Sequence, residues 1–146
     1  MNVFGSWRYV HRAVDHYGQV IDVFVSTRRD PKAATAFFAD AIHSHRQPAQ
    51  ITTDRAHALL RAVTDLLPDA PHDTTQYAAN RVETDHGRLE ARLHPMRGLK
   101  QDRTANVVIR GHAFVQNLRR RQYELGLEGR PGLILTAAFD ELAQVI

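Results

Sequence analysis

Two carboxylates stand where this chain could carry out metal-dependent chemistry. Asp54 follows the apolar run QITT and precedes the helix-like pattern RAHALLRAVTDLL, so it is predicted to end a strand at the rim of a sheet, where ligands bind. Glu83, in NRVETDHGRLEARLHPMRGLK, is predicted to open a helix. Hard oxygen ligands in a chain without cysteine favour Mg²⁺ or Mn²⁺.

Each carboxylate also has a purely structural explanation. Asp54 is well placed to be the N-cap of the following helix, a common use of aspartate. Glu83 would be favoured by the helix dipole without any function. Two-metal phosphoryl transfer needs a third, bridging carboxylate as well. The pattern alone therefore leaves both interpretations open.

The other polar residues of the same helix give weaker signals. His86 is predicted to be a hydrogen-bonded core residue, because the nine histidines show no spacing typical of a metal site. Asp85 is predicted to lie on a surface face in an ion-pair network of small energetic weight. Its expected partners are Arg81, Arg88 or Arg92.

The composition is that of one ordinary globular domain. The 146 residues are 43% apolar and 24% charged, with no apolar run long enough to cross a bilayer and no secretory signal. A cytoplasmic location and no membrane partner are expected. The absence of cysteine excludes disulfides, thiolate zinc sites and cysteine nucleophiles. A net charge of +3 is compatible with a polyanionic partner.

The first part of the chain is predicted to form a β-hairpin. Its strands would be Trp7–Val14 and Val20–Ser26, joined by DHYGQ, and β-branched residues alternate in the second strand. We expect one face of that strand to be core, formed by Ile21, Val23 and Val25.

Helices follow the hairpin. The first begins with Asp30 as N-cap and Pro31 at the first turn, and the second ends before Pro68. The helix of Glu83 has an apolar stripe, and a longer helix is predicted from about Asp102 to Tyr123. The order β-β-α-β-α-α-α indicates an α/β or α+β sheet covered by helices. The stripes are Ala34, Phe37, Phe38, Ala41 and Ile42; Leu59, Leu60, Val63, Leu66 and Leu67; Val82, His86, Leu89 and Leu93; and Val107, Val108, Gly111, Phe114, Val115 and Leu118.

Four segments together resemble a known family: WRYVHRAVD, ITTD, QYAANRVETDHGRLEARLHPMRGLKQ and GHAFVQNLRR. They resemble the catalytic domain of bacterial insertion-sequence transposases of the DDE type, in the cointegrate-forming family six. The resemblance implies a ribonuclease H-like (retroviral-integrase-type) α/β sheet with flanking helices. Asp54 matches the second aspartate of the family and Glu83 its glutamate. Both would be catalytic and metal-binding residues, with Mg²⁺ (or Mn²⁺) as cofactor.

The chain departs from the family pattern in several places. The first aspartate of the family would precede Met1, so residues 1–146 are expected to form a single catalytic domain, truncated at its N-terminus and lacking most of its first, central strand. A start placed too far downstream or a decayed copy would explain this. Glu90 stands where the family usually has a basic residue facing DNA. The interval from Asp54 to Glu83 is shorter than usual, and the shortfall lies in the segment PDAPHDTTQYAA, which is predicted to be a loop and so to tolerate deletions. The family's helix-turn-helix is also absent.

The expected function is metal-dependent DNA cleavage and strand transfer in transposition, with this isolated chain inactive. The partners would be the transposon ends, target DNA and further copies of itself or of full-length transposase. The alternative is a non-catalytic fragment that binds DNA non-specifically or dimerises with full-length transposase. An unrelated structural α+β protein is a third alternative. The residues predicted to contact nucleic acid are Arg81, Arg88, Arg97, Lys100, Arg119 and Arg120.

Overall fold

Short strand pairs and longer helices make up the chain, in the mixed α/β arrangement that was predicted. A computed structural model describes residues 1–75, 80–96, 99–126 and 130–145, and only the backbone of Arg81. A 3₁₀ turn follows the third helix. The elements in chain order are β1 (Asn2–Val3), β2 (Ser6–Trp7), β3 (Tyr9–Val14), β4 (Val20–Ser26), α1 (Pro31–Ser44), β5 (Ile51–Thr52), α2 (His57–Leu66), β6 (His72–Asp73), α3 (Asn80–Leu93), α4 (Asp102–Arg119) and α5 (Ile134–Ala143).

The predicted hairpin is confirmed as the antiparallel pair β3–β4. Asp15 closes its turn, since Oδ1 of this residue accepts the backbone N–H groups of Tyr17 and Gln19, both at 2.8 Å. The first strand begins two residues later than predicted, because Trp7 belongs to the separate β1–β2 pair. The turn of that pair places Phe4 at a positive φ of 46°.

A register shift changes which residues of β4 face the core. The β3–β4 ladder slips after Ala13, so that Ile21 has no residue directly opposite. Such a bulge rotates the extra residue away from its neighbours. Ile21 is 37% exposed, whereas Val20 and Val23 are buried. The prediction that Ile21 shares a core face with Val23 is therefore wrong.

Both faces of the hairpin are covered by helices. On one face, hairpin valines pack against α3 and α4. On the other, Phe24 and His11 face Phe37 of α1, with ring centroids 6.4 and 5.7 Å away. The hairpin is thus the centre of the core that positions α3. The buried residues of the first face are Val20, Val23, Leu89, Ile109 and Ala113.

The strands that the structure describes do not join into one continuous sheet. β5 and β6 form a parallel pair, and no ladder connects them to the hairpin within the described ranges. The segment containing β6 was predicted to be a loop. That prediction is wrong, because Ile51 N–H donates to Pro71 O at 2.9 Å and Thr53 N–H donates to Asp73 O at 3.1 Å.

The long helix α4 ends earlier than predicted. Arg121 has a positive φ of 56°, which a helix cannot continue through. Gln122 N–H donates to Asn117 O at 3.0 Å and Arg121 N–H to Leu118 O at 2.9 Å, the paired bonds of a Schellman motif. The expected core residue Val107 is 65% exposed, and alanines share the buried face of α4 with Ile109.

Candidate active site

Asp54 lies just beyond the carboxyl end of β5, with an exposed side chain. It is not the N-cap of α2, which begins at His57 with Ala56 in the capping position. Instead, Oδ1 of Asp54 accepts the backbone N–H of Ala56 at 3.0 Å and shapes the turn before the helix. The second carboxylate oxygen is left for another partner.

Arg29, in the loop between β4 and α1, supplies that partner. Its Nη2 lies 3.5 Å from Oδ2 of Asp54, and the two side chains are 61% and 48% exposed. Solvent screens such a pair, so it contributes little to stability. Arg29 was not predicted as a site residue, because nothing in STRRD indicates that this loop lies beside β5.

Glu83 occupies the first turn of α3, and its side chain is exposed. The N-terminus of a helix favours a negative charge there. The structure records no direct contact between Asp54 and Glu83. Nor do the ranges 1–75, 80–96, 99–126 and 130–145 contain three or more His, Cys, Asp or Glu residues grouped to hold a metal ion.

The pKa of His11 depends on residues near each of these two carboxylates. Burial lowers the pKa of His11 on β3, and the charges of Arg29 and His86 lower it further. His86 lies on α3 three residues after Glu83. Arg29, the partner of Asp54, and His86, on the helix of Glu83, therefore both act on His11. No spacing pattern in the sequence predicts this relationship.

His86 is a half-buried, hydrogen-bonded residue, as predicted. It forms a hydrogen bond with the backbone of Val10 on β3. Burial lowers the pKa of His86, and the positive charge of Arg12 lowers it further. Burial against the hairpin thus favours the neutral form of this imidazole.

A third carboxylate near β5 was also missed. Asp73 ends β6, the strand paired with β5. Its Oδ1 accepts the backbone N–H of Thr75 at 2.9 Å, and hydrogen bonding to Thr75 lowers the pKa of Asp73. The carboxyl ends of adjacent parallel strands lie at one sheet edge. The segment PHD has no strand-like pattern of its own, so only its pairing with ITT identifies it as a strand.

Asp85 differs most from its prediction. Its side chain is completely buried and forms ion pairs with Arg12 of β3 and with Arg120 at the end of α4. The prediction of a surface network is wrong, since Asp85 lies one turn before the buried Leu89 and shares its face.

The predicted nucleic-acid contacts fall into three groups. Arg88, Lys100 and Arg119 have exposed side chains. Arg120 donates from Nη2 to Asp85 Oδ1 at 2.7 Å and is only 22% exposed, so its guanidinium is already engaged within the protein. The remaining two lie outside the described side chains: Arg97 and Arg81.

None of the helices in the described part of the chain has the length and apolar character to cross a bilayer.

The family model for a DDE domain, DDE_Tnp_IS240, matches residues 1–122. This range includes both candidate carboxylates and all of α3 and α4.

Several relatives of this chain are named as transposases. The chain is 30% identical over 98 residues to "Transposase for insertion sequence-like element IS431mec" and to "Transposase for insertion sequence element IS257 in transposon Tn4003", both of Staphylococcus aureus. The match covers 63% of this chain and 43% of each relative. "Uncharacterized protein pYV0051" of Yersinia pseudotuberculosis is 28% identical over 72 residues, or 47% of this chain and 67% of that protein. The chain thus spans less than half the length of its staphylococcal relatives. With most of its residues inside the family model, it belongs to the DDE domain family of insertion-sequence transposases.

Proposed function

We propose that this chain serves DNA cleavage and strand transfer in transposition, with Asp54 and Glu83 as metal-binding carboxylates of a ribonuclease H-like fold. The observation that carries the proposal is the family match over residues 1–122, which includes both residues. Both side chains are exposed, so a metal ion or DNA can reach them. The transposon ends and target DNA are the proposed substrates.

The available donor atoms suit a hard divalent cation. Asp54 and Glu83 both offer carboxylate oxygens, which Mg²⁺ and Mn²⁺ prefer. Bound ions would supply activation of water and then of the freed 3′-hydroxyl for attack on phosphate. Arg29 contacts one oxygen of Asp54 from an exposed position, so it can turn to a DNA phosphate when an ion approaches that carboxylate.

The chain alone is proposed to be inactive. Two carboxylates do not hold two ions in the arrangement that phosphoryl transfer needs, and a third, bridging carboxylate is required. The family resemblance assigns that role to an aspartate not present in residues 1–146. We include membership of family six in the same proposal.

Iron-directed cleavage of the polypeptide would test the metal site. Fe²⁺ replaces Mg²⁺ at oxygen ligands and, with ascorbate and peroxide, cuts the backbone near its binding position. We expect fragments that end near residues 54 and 83, and their loss in Asp54→Asn and in Glu83→Gln. The matched control is Glu90→Gln, which removes an exposed carboxylate of the same helix and should give the same fragments as the wild type. Unchanged fragments in both site variants would refute the assignment.

Nicking of supercoiled plasmid with Mn²⁺ tests the inactivity separately. We expect no nicking by the chain alone. If it nicks DNA and Asp54→Asn abolishes this, then the inactivity is refuted while the site assignment stands.

A second function is favoured by the exposed cations on α3, on α4 and in the segment between them. The side chains of Arg88, Lys100 and Arg119 are free to approach phosphates. The chain would then coat DNA without sequence preference, or assemble with further copies of itself or with full-length transposase. Such binding would not depend on divalent ions.

A further inference from the structure

A buried carboxylate on α3 lies between two arginines from different elements. Asp85 has no solvent exposure and pairs with Arg12, whose side chain is also fully buried. The second pair, to Arg120, has an Nη2–Oδ1 distance of 2.7 Å. Arg12 also donates from Nη1 to the backbone O of Asp85 at 3.3 Å. One residue of α3 is thus held through both its side chain and its backbone.

The two arginines belong to one rigid frame. Arg120 donates from Nη1 to the backbone O of Gly18 in the hairpin turn. Asn117, one turn before Arg120, accepts the N–H of Val20 at 2.8 Å and donates to the O of Val20 at 2.9 Å. These bonds join the end of α4 to the hairpin. Asp85 attaches α3 to that combined frame.

Stability alone is a poor explanation for this pair. Burying two charges costs about as much as their attraction returns, and apolar replacements are often equally stable. The contacts of Asp85 differ from apolar packing because they include directional hydrogen bonds, from Arg12 Nη1 to the backbone O of Asp85 and from Arg120 Nη2 to Oδ1. Within the described ranges, Arg12 Nε, Arg12 Nη2 and Asp85 Oδ2 have no hydrogen-bond partner, so the ion pair with Asp85 is what compensates the buried charge of Arg12.

The direction of the hydrogen bonds to Asp85 matters because Glu83 is only two residues from Asp85 on α3. Successive residues of a helix are turned by about 100°, so Glu83 points roughly 200° away from Asp85. Fixing Asp85 against the hairpin fixes the opposite side of α3 toward solvent. Among the described side chains of α3, Asp85 and Leu89 are the buried ones, and Leu89 lies a full turn further on.

We propose that Asp85 is a positioning residue: its pairs with Arg12 and Arg120 set the rotation of α3 and thereby the direction of Glu83. The consequence for catalysis rests on the proposed function. The orientation itself does not, so it can be tested without metal, DNA or activity.

The test compares orientation with stability in a compensated variant of the full chain, Arg12→Met/Asp85→Leu. Because the chain has no cysteine, Asp54→Cys and Glu83→Cys provide the two sites for spin labels. Electron paramagnetic resonance then measures the distance distribution between them. The matched control is Arg8→Met/Asp102→Leu, which removes an ion pair in which Asp102 is 54% exposed.

We expect one narrow distance distribution in the labelled parent and in the control. The compensated variant should melt within a few degrees of the parent, yet its distribution should be at least twice as broad or displaced. A folded variant with the parent's distribution would overturn the proposal. A variant that does not fold would also overturn it, because the pair would then be required for folding rather than for orientation. Failure of the iron-cleavage test would instead refute the metal site and leave this result standing.

Discussion

Asp85 and Arg12 form an ion pair in which neither side chain has any exposure to solvent. The pair joins α3 to the central strand pair of the fold, two residues beyond the candidate catalytic Glu83. Burial lowers the pKa of Arg12, while the charge of Asp85 raises it. The carboxylate is therefore what allows a guanidinium to remain inside this core.

Removing only the carboxylate should be severely destabilising. Asp85→Ala leaves the buried Arg12 charge uncompensated, and we expect a loss of about 3–5 kcal/mol in the free energy of unfolding. Urea denaturation followed by circular dichroism measures this. Asp102→Ala breaks the pair with Arg8, in which Asp102 is 54% and Arg8 18% exposed, and should cost at most about 1 kcal/mol. Equal losses in the two variants would contradict the argument.

Asn117 provides a second test of the frame around the hairpin. Its side chain, 1% exposed, satisfies both backbone groups of Val20 and donates to Tyr123 Oη at 3.0 Å. Asn117→Ala leaves these groups unpaired, at a cost of about 1–3 kcal/mol for each buried group that water cannot reach. Asn106→Ala, which removes only a surface bond within α4, is the control for thermal melting. A loss no larger than that of the control would argue against a structural role for Asn117.

Stability should fall as the pH is lowered from about 7 to 5. Burial lowers the folded-state pKa values of His11, His86 and His112 below their usual value of 6.5. Below pH 6.5 the unfolded chain therefore binds more protons than the folded chain, and protonation favours unfolding. The loss begins as the pH passes 6.5 and levels off once the pH lies below the folded-state values. Thermal melting across this range measures the slope.

A histidine variant tests the origin of that slope. His86→Gln removes an imidazole whose charged neighbours are Arg12, Asp85 and Glu90, and it should flatten the dependence. His57→Gln, on the exposed start of α2, should not. The pKa values of Asp73 and Asp102 are lowered from 3.8, so these carboxylates affect the pH dependence of stability only below the range from pH 7 to 5. If the dependence of stability on pH is unchanged in His86→Gln, then it arises from His11 and His112.

The helices were largely predictable from the sequence. The apolar stripe of α1 and the N-cap Asp30, which accepts Ala33 N–H at 2.9 Å, follow from local pattern and capping chemistry. The stripe of α3 was also found, with Leu89 as its buried centre. The periodicity of a helix depends on residues within one segment, so it can be recognised from a single sequence.

Long-range polar contacts were not predictable. Asp85 has an ordinary surface pattern, and only the fold places Arg12 and Arg120 against it. The proximity of Arg29 to Asp54 depends in the same way on how two loops pack. Pairing between separated segments leaves no local signature, which is why the short parallel strand at residues 72–73 was also missed.

Binding to DNA should depend on the exposed arginines in a measurable way. Arg88→Ala with Arg119→Ala should weaken binding to any duplex and lower the slope of log K against log salt concentration by about 0.9 for each lost phosphate contact. Arg61→Ala, equally exposed but on α2, is the control. Fluorescence anisotropy with two unrelated duplexes gives both the affinity and the salt slope. An unchanged slope would exclude these two residues from the DNA-binding surface.

Two glycine-to-alanine changes should have opposite effects on stability. At Gly126, φ is +67° and an added Cβ would lie 2.5 Å from the backbone O of Ile134, while the Gly126 N–H donates to Glu141 Oε1 at 3.0 Å. Gly126→Ala should therefore displace α5 and cost more than about 2 kcal/mol. At Gly111, in α4, nothing lies within 4 Å of an added Cβ. Gly111→Ala should raise stability by about 0.5–1 kcal/mol, because alanine loses less backbone entropy in a helix. Chemical denaturation measures both, and a stabilising Gly126→Ala would show that α5 does not pack closely on this turn.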